Sequence, residues 1–459
     1  MILERSEMQG LVTSAYSRSL AARYVLLSVE DASSARASVR RLTARTTFAD
    51  RVKPELHPRE DRGTRLAVAF SFAGLRALEV PVERLVDFSR EFREGMVTPH
   101  RQRLLGDVDG SPSDPRRWRW GGPDTPVHVL LALFAPDEPS LDRVVDDVMG
   151  VLAGMRVTRT VATVSIAGER EHFGFRDGIA SPWVDGLHRP RNPRDRIAAG
   201  EILLGYPDLT RVPERHPPLG RNGGYLVVRQ LAQDVEGFWA ALRARAGNDH
   251  ALRWAAKMTG RWPDGTPVTL SPDTPLADPT DDFGYADDSD GVRCPWGAHV
   301  RRTNPRDGLG TEPADSTALV NRHRLLRRGR AFGLAADPGT WPPGIDPVVV
   351  QEGREDASHQ RGVLFVCLCA SLARQFEFVA HSWMNNPKFG GLYDENDPLA
   401  GAPHRRLLEG ATGYVFTAPD ERTNARITLP DKYVHCIGGA YFFLPGRAAL
   451  HSIASLSAA

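Results

Sequence analysis

Dense apolar runs and helix-spaced apolar positions alternate along the first third of the chain. The run at 21–30 (AARYVLLSVE) is too short and too uniformly apolar for a surface helix, and it predicts a strand. A helical stretch follows to about residue 47, with Asp31, Ser33 or Ser34 as its cap, because a side-chain oxygen there accepts from an unpaired amide of the first turn. TRLAVAFSFAGL (64–75) predicts a second strand, with short helices after it to about residue 95. Gly, Pro and Asp crowd residues 106–125, which reads as loop. PVHVLLALFAP (126–136) predicts a third strand. Leu141, Val144, Val145, Val148 and Leu152 then recur at helical spacing through SLDRVVDDVMGVLAGM, and TRTVATVSIAG predicts a fourth strand. Strand–helix–strand twice over is the split βαβ order of a ferredoxin-like unit.

The second half repeats the theme loosely. Gly224-Tyr225-Leu226-Val227-Val228-Arg229 predicts a strand leading into a helix through Asp234, Phe238 and Leu242. GVLFVCLCASL (362–372) leads into the helical ARQFEFVAHSWM (373–384). Between these pairs lies an insertion at about 260–293, rich in turn formers, which reads as a solvated loop. Its aspartates lack the spacing and terminal Glu of a calcium loop. The expected architecture is therefore α+β, with two ferredoxin-like units of antiparallel sheet and helices in tandem, residues 1–165 and 166–459.

Composition narrows the partners. Lys plus Arg (58) balances Asp plus Glu (57), so no global field favours nucleic acid or an anionic membrane. Nearly all the positive charge is arginine, whose planar fork suits carboxylates and phosphates. No stretch approaches the ~18 apolar residues of a membrane span. The opening MILERSEMQGLV lacks the apolar core of an export signal, so the expected location is cytoplasmic. The four cysteines form no CxxC pair, which argues against structural zinc. Cys367 and Cys369 lie on an apolar run and read as buried strand thiols, in keeping with a reducing compartment.

Three stretches carry candidate chemistry. CPWGAHVRRTNPRD (294–307) sets His299 beside Gly297 and Ala298, where little bulk hinders a flat ligand, and follows it with Arg301, Arg302 and Arg306. Such arginines suit a polyanion, a pair of haem propionates among the choices. A lone histidine is more often a hydrogen-bonded structural residue than a metal ligand. EHFGFRDGIASP (171–182) brackets Asp177 with Gly174 and Gly178, an arrangement that serves close approach to a ligand or merely a turn. HRLLRRGRAFG (323–333) offers arginines that are either a solvated patch or, set between leucines and a glycine, something more enclosed.

Taken together, GFRDG, CPWGAHVRRTNPRD and RLLRRG resemble the dye-decolourising peroxidase family, haem peroxidases with a ferredoxin-like fold. LGYPD (204–208), LGRNGGYLVVRQLAQDV (219–235), KMTGRWPDGTP (257–267), QFEFVAHSWMNNP (375–387) and GGAYFFLPG (438–446) extend the resemblance over the chain in order. The length and insertions are similar to the family's larger members. The resemblance implies haem b in the second unit, with His299 as its iron ligand and Arg301 and Gly178 against the cofactor. It implies Asp177 as the distal aspartate and Arg327 as the distal arginine, with Arg328 the alternative if the register slips by one. Glu377, in QFEF, matches the carboxylate that bonds the far nitrogen of the imidazole. Gly329 departs from compact relatives, which carry an Asn there.

The chemistry so implied is reduction of hydrogen peroxide and oxidation of bulky aromatic or dye-like one-electron donors through a ferryl intermediate. Asp177 carries the peroxide proton, and Arg327, always charged, stabilises the charge that develops as the O–O bond breaks. A carboxylate base ionises well below a histidine, which biases activity to acidic pH. Bulky donors need an electron path through a surface Trp or Tyr, and Trp118, Trp120, Trp183, Trp262, Trp341 and Trp383 are candidates that serve equally as packing anchors. The resemblance also implies a homo-oligomer. The rival readings are a non-catalytic haem-binding or haem-delivery protein of the same fold, and a structural oligomer that has lost haem.

Overall fold

The computed structural model describes residues 3–52, 63–188, 192–211, 216–310, 312–354, 360–402, 414–419 and 424–456. Strand β1 (Ala21–Val29), helix α1 (Ala32–Arg45), β2 (Arg65–Phe70), β3 (Val129–Ala135), helix α2 (Glu138–Met149) and β4 (Met155–Ala162) form the first unit, in the order β2-β3-β1-β4. A short strand, β5 (Val164–Ile166), leads into the second half. There β6 (Gly224–Gln233), helix α3 (Val235–Ala246), β7 (Leu326–Arg327), β8 (Arg330–Phe332), β9 (Val350–Gly353), β10 (Gly362–Cys369) and β11 (Val434–Leu444) follow one another. The order β8-β10-β6-β11 repeats that of the first unit: second, third, first and fourth strands in turn. The fold is α+β with antiparallel pairing, as the sequence pattern predicts.

The two units are not separate sheets. Phe443 of β11 pairs with Phe70 of β2, so eleven strands join into one continuous sheet. The expected division at 165/166 falls inside β5, whose Val164 pairs with Ala331 of β8 and whose Ile166 pairs with Val350 of β9. Among the described residues no helix is long and apolar enough to cross a membrane. All four cysteines are buried and free, with Cys367 and Cys369 on β10.

Local chemistry explains where elements start and stop. Asp31 caps α1 by accepting from the Ser34 amide at 2.8 Å. The apolar run 64–75 is not one strand: Ser71 accepts from Gly74 N–H and turns the chain into the helix Phe72–Ala77. The predicted helix from 140 likewise ends at Met149, so Leu152 packs from a turn, and β4 already begins at Met155. The insertion at 260–293 is less solvated than its composition suggests. Trp262, Val268, Phe283 and Tyr285 form a buried cluster with Cys294 and Ala298, and Asp288 is buried beneath them.

Alternation along the strands assigns each side chain to a face. Leu326, Val366, Leu368, Leu226 and Val228 pack on one side with Phe134 and Leu130. Cys367, Cys369, Val227 and Tyr441 pack on the other, under α1, α2 and the helical segments Leu372–Glu377 and Val379–Met384. The site described below opens from this second face. At the seam, Phe443 is fully buried with its ring 5.0 Å from that of Phe88. Phe443→Ala is expected to destabilise the whole protein by about 3–5 kcal/mol through the cavity it leaves, measured as a shift of the urea midpoint with the slope unchanged.

Candidate active site

His299 opens a short helix, His299–Thr303, that ends where Asn304 turns extended before Pro305. Its Nδ1 donates to Asp397 Oδ2 at 2.8 Å. Asp397 is fully buried, and its other oxygen accepts from the amides of Leu399 (3.0 Å) and Ala400 (2.9 Å). Burial alone would raise this carboxyl, but His299, the Ala400 amide and the Lys432 charge hold it down at about 2. Burial likewise pushes the His299 imidazole down, and Asp397 more than reverses it, so its pKa is raised. An ionised partner on Nδ1 fixes the tautomer and leaves Nε2 as the donor atom for a metal.

Asp177 and Arg327 arrive from other elements. Asp177 sits in the loop after β5, where its amide donates to the Glu169 carbonyl (2.8 Å) and the Arg176 amide to the Pro263 carbonyl (2.9 Å). Glu171 anchors the same loop by accepting from the amides of Phe173 and Phe175 and from Gln233 Nε2. Gly174 has a φ of +101°, and a Cβ there would press to 2.9 Å from Ile345 and 3.2 Å from Trp341. Arg327 Nη1 donates to Asp177 Oδ1 at 2.9 Å, and the Gly178 amide donates to the same oxygen at 2.6 Å. Burial tends to raise the Asp177 carboxyl, but the Arg327 charge and these bonds outweigh it and hold it below 3.8.

Register decides which arginine faces the site. Arg327 pairs with Cys367 of β10 and shares its face, whereas Arg328 points to the opposite face and is spent on the carbonyls of Leu11 and Val12. His299 and Asp177 lie deep in the fold, and each shifts the other's proton affinity. Even so, 31% of the His299 side chain, 45% of Asp177 and 36% of Arg327 remain open. Deep side chains with open surface line an internal cavity. On the same face of the sheet as Arg327, the half-buried Leu231 and Phe365 pack against the hydrophobic core. Another cavity, of about 220 Å³, lies beyond Leu231 and Lys432, away from Asp177 and Arg327.

A haem fits this arrangement. Among the described residues no group of three or more His, Cys, Asp or Glu side chains gathers to hold a bare ion. A metal on His299 therefore needs donors of its own, which a porphyrin brings, and the open surface left on His299, Asp177 and Arg327 suits such a ligand.

Comparisons with known proteins bear on the family. No family model matches the sequence. The chain is 29% identical over 426 residues to the dye-decolorizing peroxidase msp1 of Mycetinis scorodonius, covering 86% of this chain and 77% of that one. It is 32% identical over 308 residues to the multifunctional dye peroxidase DyP2 of an Amycolatopsis strain, covering 62% and 61%. A solved dye-decolorizing peroxidase in complex with 2,6-dimethoxyphenol superposes with a TM-score of 0.79 at 26% identity, covering 99% of this chain and 100% of that one. Over most of its length the chain is similar to dye-decolourising peroxidases, in sequence and in fold.

The other expected residues take different places. Glu377 does not bond the His299 imidazole; the carboxylate that does is Asp397. Glu377 instead accepts from Arg101 Nη1 (2.7 and 2.8 Å) and from the Tyr441 hydroxyl (2.8 Å), which uses its bonding capacity beneath the sheet. Asp397 lies in Asn396-Asp397-Pro398, whose only local signal is an aspartate poised to accept from the amides that follow. Arg301 does not face the cavity. It is fully buried, bonded to Asp288 and to the Cys294 carbonyl, and stacked 3.8 Å from the Trp296 ring centroid. Gly178 borders the open space, with nothing within 4 Å of a Cβ placed on it.

None of the six tryptophans considered as electron relays is a surface ring. All are buried, and Trp118, Trp120, Trp183 and Trp262 donate their indole N–H to fixed acceptors. The His299–Asp397 pair gives a direct prediction. In the haem-free protein, Asp397→Asn removes the influence that raises His299 and leaves burial to lower it. The imidazole pKa, followed by NMR, is expected to drop from above 6.5 to below it.

Proposed function

We propose that this protein is a haem peroxidase that reduces hydrogen peroxide and oxidises aromatic, dye-like one-electron donors. The observation that carries the reading is the Asp177–Arg327 pair, 2.9 Å apart, on the same cavity as a histidine whose Nδ1 is held by an ionised carboxylate. A protein that merely carries haem has use for His299 and Asp397, but none for a carboxylate and a guanidinium opposite them. The names of the relatives, dye peroxidases, and the 2,6-dimethoxyphenol complex of a neighbour support the donor class.

His299, through Nε2, would hold haem b, which when bound would supply the two electrons needed to cleave the peroxide O–O bond. The protein's residues handle the protons and charge. Asp177, ionised, takes the proton of one peroxide oxygen and returns it to the other, which leaves as water; the proton count is unchanged. Arg327 orients that carboxylate and meets the negative charge that builds on the departing oxygen. Asp397 keeps Nδ1 protonated and the ring oriented, and lends the imidazole basicity. With every tryptophan considered buried, oxidation of a large donor requires electrons to cross at least one protein layer.

The deciding experiment is haem titration of the purified protein, followed by one equivalent of hydrogen peroxide in a stopped-flow spectrometer. Wild type should show a Soret band that shifts on mixing. Asp177→Asn should bind haem equally but react about 10²–10⁴-fold more slowly. A haem spectrum indifferent to peroxide in the wild type would instead favour the carrier reading, and an unslowed Asp177→Asn would remove that residue from the mechanism.

The pH profile supplies an independent check. Because the Asp177 carboxyl is held below 3.8, its base form is present above that and lost as pH falls through the lowered value. Activity should therefore persist into acid. Arg327→Leu removes the largest lowering influence and leaves burial, so the acid limb of the rate profile should move to higher pH. A limb that stays put would assign it to another group.

A further inference from the structure

The Asp397 carboxylate has a neighbour of opposite charge that the mechanism above does not use. Lys432 is one of only four lysines in the chain, and it is 4% exposed. Its ammonium donates to the Asp397 carbonyl at 2.6 Å and to Asn396 Oδ1 at 3.2 Å, and lies 4.3 Å from the Tyr414 ring centroid. The same carbonyl accepts from the Gly401 amide at 3.2 Å. A Cβ on Gly401 would come within 2.6 Å of that oxygen and 3.0 Å of Nζ, so the absence of a side chain there lets the ammonium reach its partner. Among the described residues no carboxylate bonds Lys432; its partners are a carbonyl, an amide oxygen and a ring face. The carboxylate whose charge acts on it is that of Asp397, already committed to His299.

We propose that Lys432 is a positioning residue of the proximal site, which clamps the Asp397 turn and, by its charge, limits how much negative character Asp397 passes to His299. The inference rests on the reading of His299 as the ligand of haem iron. The physical reason is direct. A cation within one residue's length of a buried carboxylate offsets part of its field where water does not screen it. With that offset, the imidazole keeps its Nδ1 proton more firmly and donates less electron density through Nε2. A compact ammonium on a long stem fits under Gly401, where the wide fork of the arginine used almost everywhere else in this chain would not.

The test compares haem-loaded wild type, Lys432→Met, Lys432→Gln and Asp397→Asn, reading the ferric/ferrous midpoint potential and the iron–imidazole stretching band in resonance Raman spectra. Burial pushes the Lys432 ammonium down to about 7, so measurements at about pH 5 are made with its charge present. Loss of the lysine charge should lower the potential and raise the stretching frequency, as the imidazole becomes more anionic. Asp397→Asn should move both the opposite way. That opposition separates charge from mere support: if Lys432 only held the turn, its loss would slacken the Asp397–His299 bond and mimic Asp397→Asn. A shift in that direction, or none, overturns the inference while leaving the ligand assignment intact. Failure of both lysine variants to load haem, with the far-ultraviolet circular dichroism unchanged, would make Lys432 a retention residue and overturn it as well. If Asp397→Asn itself moves neither quantity, the ligand reading fails and the inference falls with it.

Discussion

The constraint on which the site depends is the 2.8 Å bond between His299 Nδ1 and a carboxylate that never meets water. Burying a carboxylate costs several kcal/mol unless its oxygens are bonded and its charge answered. Here the Leu399 and Ala400 amides take one oxygen and the imidazole takes the other. The histidine is thereby fixed in tautomer and angle before any cofactor arrives. The short helix that carries it, the Asn-Asp-Pro turn that meets it and the lysine beneath that turn all serve one bond. Without that bond, His299 would be a half-buried imidazole with a lowered proton affinity and no preferred face.

The opposite wall depends on strand parity. Leu326, Arg327 and Arg328 are consecutive, and a strand sends consecutive side chains to opposite faces. Pairing of Arg327 with Cys367 places one guanidinium over the cavity and the next among main-chain carbonyls of the N-terminal segment. A register change of one residue would exchange them, which is why the long β6–β10–β11 ladder, more than any contact of Arg327 itself, protects the site. The sheet that joins both units thus acts as the ruler against which the Asp177 loop and the His299 helix are set.

Arginine performs a second task throughout this chain. Arg301, Arg302, Arg306 and Arg328 are buried and spend their donors largely on backbone carbonyls of distant segments. Arg302 alone reaches carbonyls of Trp383, Asn386 and Glu395, tying the His299 helix to the segment that leads into Asp397. A fork with five donors cross-links loops that have no ladder of their own. The run of arginines after His299 is therefore scaffolding for the His299 helix, and it only looks like an anion site when read as a string.

Much of this was legible from the residues alone. Helix-spaced and alternating apolar positions marked both ferredoxin-like units, since side-chain periodicity is a local property. Short motifs singled out His299, Asp177 and Arg327, because small residues around a functional group are local as well. What the sequence did not determine is what depends on separations of tens to hundreds of residues. Asp397 stands 98 positions from His299, and nothing in the chain distinguishes it from Glu377, whose carboxylate is instead captured by Arg101, 276 positions away. The merging of two units into one sheet through Phe443 and Phe70, the choice between Arg327 and Arg328, and the withdrawal of Arg301 into the core were decided by tertiary structure. The physical reason is the same in each case. Local pattern says what a side chain can do, but only the packed fold says which partner reaches it first and leaves it nothing further to bond.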